Sequence, residues 1–237
     1  GTSRWDWHTA EFHLNLQTGE LKHGRQESAR PRITGGSLES WVINPPGTLV
    51  AALRPSAQGG GSDLVVMDPL GGRQLVYPRF VTRAGAILPG MLAWSADGVR
   101  VAAIAEAPEG GAGIVVLNVT DGEIARPVNA LPVGAGARLL WSGSGRYILA
   151  GNLLVDLEQG TYRQLPGDPL KARGAWEPQG QRLLYSQEDW GVLMAVDPAT
   201  AGTQGLGTGL LAGWTGPGRA LLIRWPVSAT RYVPIGH

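Results

Sequence analysis

Carboxylates, histidines, hydroxyls and cationic side chains are the groups able to do chemistry in this sequence, and their spacing assembles no catalytic set. Ser142-Gly-Ser-Gly145 is not a nucleophile elbow, because Trp141 holds the position that motif gives to glycine. No Gly-rich phosphate loop ending in Gly-Lys occurs. His13 and His23 fall on facing strands of one expected hairpin, without a third ligand nearby, so no metal site is expected. The sequence contains no cysteine, which removes thiolate ligands, thiol nucleophiles and disulfides. Asn118-Val-Thr120 formally fits a glycosylation sequon.

Arginine and tryptophan are the more informative residues. Arg30, Arg32, Arg79, Arg83, Arg138 and Arg173 fall in segments expected to join one sheet to the next, with Arg25 and Lys171 beside them. Few acids share those segments: Glu27, Glu39 and Asp168. Such a set makes a basic face for an acidic protein partner or an anionic ligand. Trp190, in the polar run Gln187-Glu-Asp-Trp-Gly191, is expected to be exposed on a loop and to join that candidate surface. The overall charge is only +1 and no Lys-rich run interleaves with aromatics, so nucleic acid is not expected as a partner. No cofactor is implied.

The elements that position these residues follow from an internal repeat. Leu92-Ala-Trp94-Ser-Ala-Asp-Gly98 is an apolar strand ending in a tight turn, and the apolar strand Val99 to Ile104 follows it. The pattern returns around Trp141 with Gly145, Trp176 with Gly180, and Trp214 with Gly218. A variant has Ile43 with Gly47, and Trp41 two residues earlier on the same strand face. A second, more polar hairpin follows four of these five, over 63–76, 113–126, 152–164 and 192–204. The copy missing after 212–225 is matched by residues 11–23 at the other end of the chain. Trp94, Trp141, Trp176 and Trp214 are expected to fill the wedge between neighbouring sheets rather than to bind a ligand.

The segment Trp94-Ser-Ala-Asp-Gly98, with Ile114-Val-Val-Leu-Asn118 and Asp121-Gly122 behind it, resembles the TolB-like group of WD-type propeller repeats. Traces of the repeat run from about residue 10 to 225. The resemblance implies an all-β fold and a single propeller domain over residues 1–237. Five blades are expected, with the N-terminal strands completing the C-terminal blade; the alternative is six blades with one incomplete, since 229–235 can supply a further strand. Members of that group are often periplasmic or surface proteins that bind other proteins, and others are the non-catalytic propellers of prolyl-oligopeptidase-type enzymes. The resemblance therefore implies a non-catalytic, extracytoplasmic binding or scaffold module. The competing reading is a glycan-acting propeller or the propeller of a larger hydrolase. Glycoside hydrolysis needs paired carboxylates, and the expected central strands with their turns hold only Glu39 and Glu177. No run of about 18 apolar residues is present, so no transmembrane helix is expected.

Overall fold

A computed structural model describes residues 12–14, 21–23, 40–57, 59–68, 74–81, 91–106, 111–132, 137–178, 180, 182–188, 191–216, 218–223 and 230–234. Every regular element among them is a strand, and the strands form antiparallel sheets in series. The first sheet contains Ser40–Ile43, Val50–Pro55, Ser62–Met67 and Gln74–Val81. The second contains Leu92–Trp94, Arg100–Glu106, Ala112–Asn118 and Ile124–Leu131. Leu139–Trp141, Tyr147–Ala150, Leu153–Asp156 and Thr161–Gln164 build the third. Arg173–Trp176, Leu183–Ser186, Val192–Val196 and Thr203–Thr208 build the fourth. Strands lie in chain order within each of these four sheets, so each is a meander of three hairpins.

The fifth sheet contains Leu210–Gly216, Arg219–Ile223 and Thr230–Pro234. This corrects the expected closure at that place. The neighbour of Arg219–Ile223 is the C-terminal strand, in register from Arg219↔Pro234 to Ile223↔Thr230, and not the N-terminal hairpin. A short connection brings Thr230 back at small loop-closure cost, whereas the N-terminal strands lie most of the chain away. Phe12–Leu14 and Leu21–His23 pair with each other in a two-stranded sheet of their own.

Ile43, Trp94, Trp141 and Trp176 each end a first strand and lead into the same turn, whereas Trp214 stands inside Leu210–Gly216. Asn44, Ser95, Ser142 and Glu177 follow the anchors, and each donates its backbone N–H to the carbonyl five residues on. All four side chains are buried, and each has polar work to do. Asn44 Oδ1 accepts from Thr48 N and Leu49 N at 2.8 Å. Ser95 Oγ accepts from Arg100 N at 2.9 Å, and Ser142 Oγ from Tyr147 N at 3.0 Å. Glu177 Oε1 reaches the next sheet and accepts from Gly218 N at 2.7 Å. The turn glycines Gly47, Gly98, Gly145, Gly180 and Gly218 all have φ between +64° and +74°.

Successive sheets pack face to face through their alternating side chains. Leu53, Leu64 and Val66 of the first sheet meet Trp94, Val101, Val115 and Leu117 of the second. Ile104, Ile114 and Val128 meet Trp141, Ile148 and Val155. Tyr147, Leu149 and Leu154 meet Leu183, Tyr185 and Met194. Leu184, Leu193 and Leu206 meet Ala220 and Leu222. Full burial of each such side chain is worth about 1.5–3 kcal/mol, so these interfaces, not the single sheets, hold the fold together. The innermost strands touch one another in chain order from the first sheet to the fifth.

The tryptophans fill those wedges as expected. Trp94 Nε1 donates to Val42 O at 3.0 Å, Trp176 Nε1 to Leu140 O at 2.9 Å, and Trp214 Nε1 to Ala175 O at 2.8 Å. In each case the acceptor is the residue before the preceding sheet's anchor. Trp141 departs from the rule, since its Nε1 donates to Gly145 O of its own turn at 3.1 Å. The Arg100 guanidinium lies 5.1 Å from the Trp141 ring, which ties the second and third sheets by a cation–π contact instead.

Candidate functional site

The meander sends two sets of connections to one side of the sheets. The links from a fourth strand to the next first strand emerge there, together with the links between second and third strands. Arg79, Arg138 and Arg173 all stand at this end. Arg30, Arg32, Arg83 and Trp190 lie outside the described residues.

Arg79 is exposed, at φ +51°, in a bulge where Tyr77 to Val81 lose register with Leu64 to Ser62. Pro78 in this outer strand withholds a ladder donor, which an edge strand tolerates. Buried Asp63 fixes the bulge, because its Oδ1 accepts from Arg79 N at 3.0 Å while Oδ2 lies 3.6 Å from Arg54 Nε. The Arg79 side chain reaches the Ser56 to Gly61 connection, with Nη2 3.5 Å from where a Cβ on Gly60 would stand. Arg138 is exposed, and its carbonyl accepts from Gly151 N at 2.9 Å. Arg173 is half-buried and turns back on its own connection. Its Nη1 donates to the carbonyls of Lys171 and Ala172 at 3.2 Å and lies 3.5 Å from that of Leu170.

The connection from 165 to 172 is held from several directions. Buried Asn152 donates through Nδ2 to Leu165 O at 3.1 Å and Gly167 O at 2.8 Å. Tyr185, wholly buried, donates from its hydroxyl to Pro166 O at 2.7 Å. Burial pushes the Tyr185 phenol up to about 12, so it stays a neutral donor across ordinary pH. Asp168 Oδ1 accepts from Leu170 N at 2.9 Å. Sequence reading missed Asn152 and Tyr185, since their partners stand 13 to 19 residues away with no local pattern to announce them.

On the opposite side a cavity of about 90 Å³ opens between the third and fourth sheets, lined by Arg146, Tyr147, Asp156, Tyr162, Arg163 and Pro198 among others. Two of its charges, Arg146 and Asp156, pair with each other. Arg146 Nη2 donates to Asp156 Oδ2 at 2.7 Å, Nε lies 3.1–3.2 Å from both Asp156 oxygens, and Nη1 is 3.3 Å from Glu158. Among other chemistry-bearing residues, Glu177 is occupied by Gly218 N. His13 pairs in register with Lys22 and His23 with Phe12. Glu39 lies outside the described residues.

Among the described residues, three aspartates carry carboxyls held below their ordinary value. For Asp63, Asp97 and Asp156 burial alone raises the pKa, and hydrogen bonds and nearby arginines together outweigh it. The donors are Arg79 N, Ser56 and Arg54 for Asp63; Ser95 and Val99 N for Asp97, with the Arg100 charge nearby; and Arg146 with two backbone N–H groups for Asp156. A depressed folded pKa contributes stability that is intact above the unfolded value of 3.8 and is lost as pH falls through the lower folded values. Stability measured by denaturant titration should therefore fall steeply below about pH 4. Asp63→Asn should flatten that acid limb; an unchanged acid limb would contradict this role.

No protein-family model matches the sequence, and no curated protein matches it. Solved structures do. TolB from Acinetobacter baumannii aligns over 95% of this chain and 59% of its own at 14% identity, with a TM-score of 0.48. The β-propeller domain of Cps50 (Swd1) from Myceliophteria thermophila aligns over 81% and 64% at 16% identity, TM-score 0.52. The β-propeller domain of the Trilobed protease from Pyrococcus furiosus, described as having an open velcro topology, aligns over 78% and 59% at 12% identity, TM-score 0.52. The likeness is to β-propellers. At these identities it is a likeness of fold alone. The chain spans 59% of the TolB chain and 64% of the Swd1 domain. One of these propeller domains belongs to a protease. Among the described residues, no helix is long and apolar enough to cross a membrane.

Proposed function

We propose that this propeller is a non-catalytic, extracytoplasmic binding module that offers its connection-rich side to a protein partner or an anionic ligand. The observation that carries the reading is the rigid mounting of that side. Buried Asp63, Asn152 and Tyr185 spend their polar groups on holding connections in place rather than on lining a cleft. Exposed Arg79 stands on one of those connections, and exposed Arg138 is held through its carbonyl by Gly151 N, so cationic groups are displayed on a preorganised frame, which lowers the entropy cost of binding. Arg30, Arg32, Arg83 and Trp190 extend the same surface in this reading, as their places in the repeat suggest.

Ring closure belongs to the same proposal. The fifth sheet takes its third strand from the C-terminus, and the N-terminal hairpin keeps a sheet of its own. These facts favour six positions around the axis, five sheets and an incomplete blade made by the hairpin, over five blades laced by the N-terminus. Val50, Ala52, Val65 and Met67, on the face of the first sheet that looks away from the second, are buried, so the chain itself covers that face. Half-exposed Trp41 and Ile43 mark its inner edge.

The functional half is tested by replacing Arg79 and Arg138 with Glu together. Both side chains are exposed, so the fold should be retained. A partner captured from an envelope extract by the wild-type protein should be lost or weakened about tenfold or more. Equal capture by the double variant would discard the cationic surface as the binding determinant.

A further inference from the structure

Leu170 is 58% exposed, more than any other large apolar side chain among the described residues. It does not sit on a loose loop. Its N–H is held by Asp168 Oδ1, its neighbours' N–H groups return to Asp168 O, and the Leu165 and Gly167 carbonyls are fixed by Asn152. The frame that forces Leu170 into water is a densely hydrogen-bonded connection. Val192, 43% exposed, opens the strand that follows the neighbouring connection. The two are joined through Gln187, which packs against Gly167 and donates its N–H toward Val192 O at 3.4 Å.

The surroundings of Leu170 are cationic. Lys171 follows it and Arg173 lies two residues further on. Arg138 is brought alongside because Gly151 hydrogen-bonds Arg138 O and packs against both Ala137 and Pro169. Against these three cations the connection holds one carboxylate, Asp168, one oxygen of which already accepts the Leu170 N–H. Glu188 lies across, on the neighbouring connection.

We propose that the Leu170 tip docks an acidic peptide segment of a partner protein, with an apolar side chain of that segment seated between Leu170 and Val192. This rests on the binding-module reading and names the place and the chemistry of the contact. An exposed apolar anchor on a rigid frame, ringed by cations, is complementary to apolar residues spaced by acids.

The test uses the full chain and a short fluorescein-labelled peptide of alternating Glu and Leu, with a Gln-for-Glu peptide as its neutral counterpart. The expected result is saturable anisotropy change with the Glu peptide, weakened about tenfold or more by Leu170→Ser and by Lys171→Glu, and about tenfold weaker for the Gln peptide. Leu170→Ser alters an exposed side chain and should leave the melting temperature unchanged. Absence of saturable binding, equal binding of both peptides, or indifference to Leu170→Ser would each overturn the proposal. So would uptake of anionic phosphatidylglycerol vesicles with no peptide binding. If the Arg79/Arg138 double variant loses partner capture while Leu170→Ser does not, this inference fails and the broader reading stands.

Discussion

Gly180→Ala should lower the melting temperature by about 10 °C, while Gly47→Ala, at the same position of another sheet, should lower it by only a few degrees. Both glycines have positive φ, +71° and +74°, and a side chain in that region costs about 1–2 kcal/mol. They differ in what stands nearby. A Cβ on Gly47 meets nothing within 4 Å. On Gly180 it would run into Ser144 N, with Gly143 N and C at 3.1 Å. These are backbone atoms of the preceding sheet's turn and cannot swing aside, so an overpacking cost of about 1–3 kcal/mol is added. At roughly 2–4 °C per kcal/mol for a chain of this size, the sum gives the predicted difference. The contrast matters because it probes the nesting of one turn into the next. Gly98 nests likewise, with a Cβ there lying 2.9 Å from Pro46 Cδ. Equal effects of the two substitutions would mean that the turns do not interlock.

Trp176→Ala should be the more damaging change, at about 3–5 kcal/mol. The indole joins the third and fourth sheets twice. Its ring stacks on Tyr147, with centroids 6.3 Å apart and planes 19° from parallel, and its N–H satisfies Leu140 O. Trp176→Phe separates the two contributions. It keeps the ring and leaves Leu140 O without its partner, for about 1–3 kcal/mol. Trp141→Phe should not uncouple its sheet from the second in the same way, because the Trp141 N–H bonds within its own turn and Arg100 still has a ring to cover. Chemical denaturation followed by circular dichroism measures all three. A Trp176→Ala protein as stable as wild type would contradict the wedge role of the tryptophans.

The repeat made much of this legible beforehand. Ile43, Trp94, Trp141 and Trp176 are each the last residue of a first strand, as the anchor-plus-glycine pattern required, and the second hairpins fall where the polar alternating segments lie. Local chemistry was enough there, because a tight turn between apolar strands is written in adjacent residues. One feature was legible only as an alternative, the strand at 229–235, and one was hidden. Thr230–Pro234 carries no turn glycine or anchor of its own, and the apparent hairpin match at residues 11–23 outweighed it. The framing of the 165–172 connection depends on Asn152 and Tyr185, each acting on a carbonyl of a distant segment. A carbonyl has no sequence identity, so such bonds leave no trace in a pattern. Of the proposed surface, the position of Arg79, Arg138 and Arg173 on one side followed from strand order, whereas the turning of Arg173 onto its own loop did not.

The proposed binding surface exists as described only if the sheets close around an axis. The chain has no cysteine, so pairs of spin labels can be introduced without interference. Labels at Pro45 and Ser144 report the separation of the first and third turns; labels at Pro45 and Arg219 report that of the first and fifth. In a six-position ring both pairs stand two steps apart, and pulsed electron resonance should return similar distances. In an open stack the first and fifth turns are four steps apart, and a Pro45–Arg219 distance far exceeding the Pro45–Ser144 distance would contradict closure.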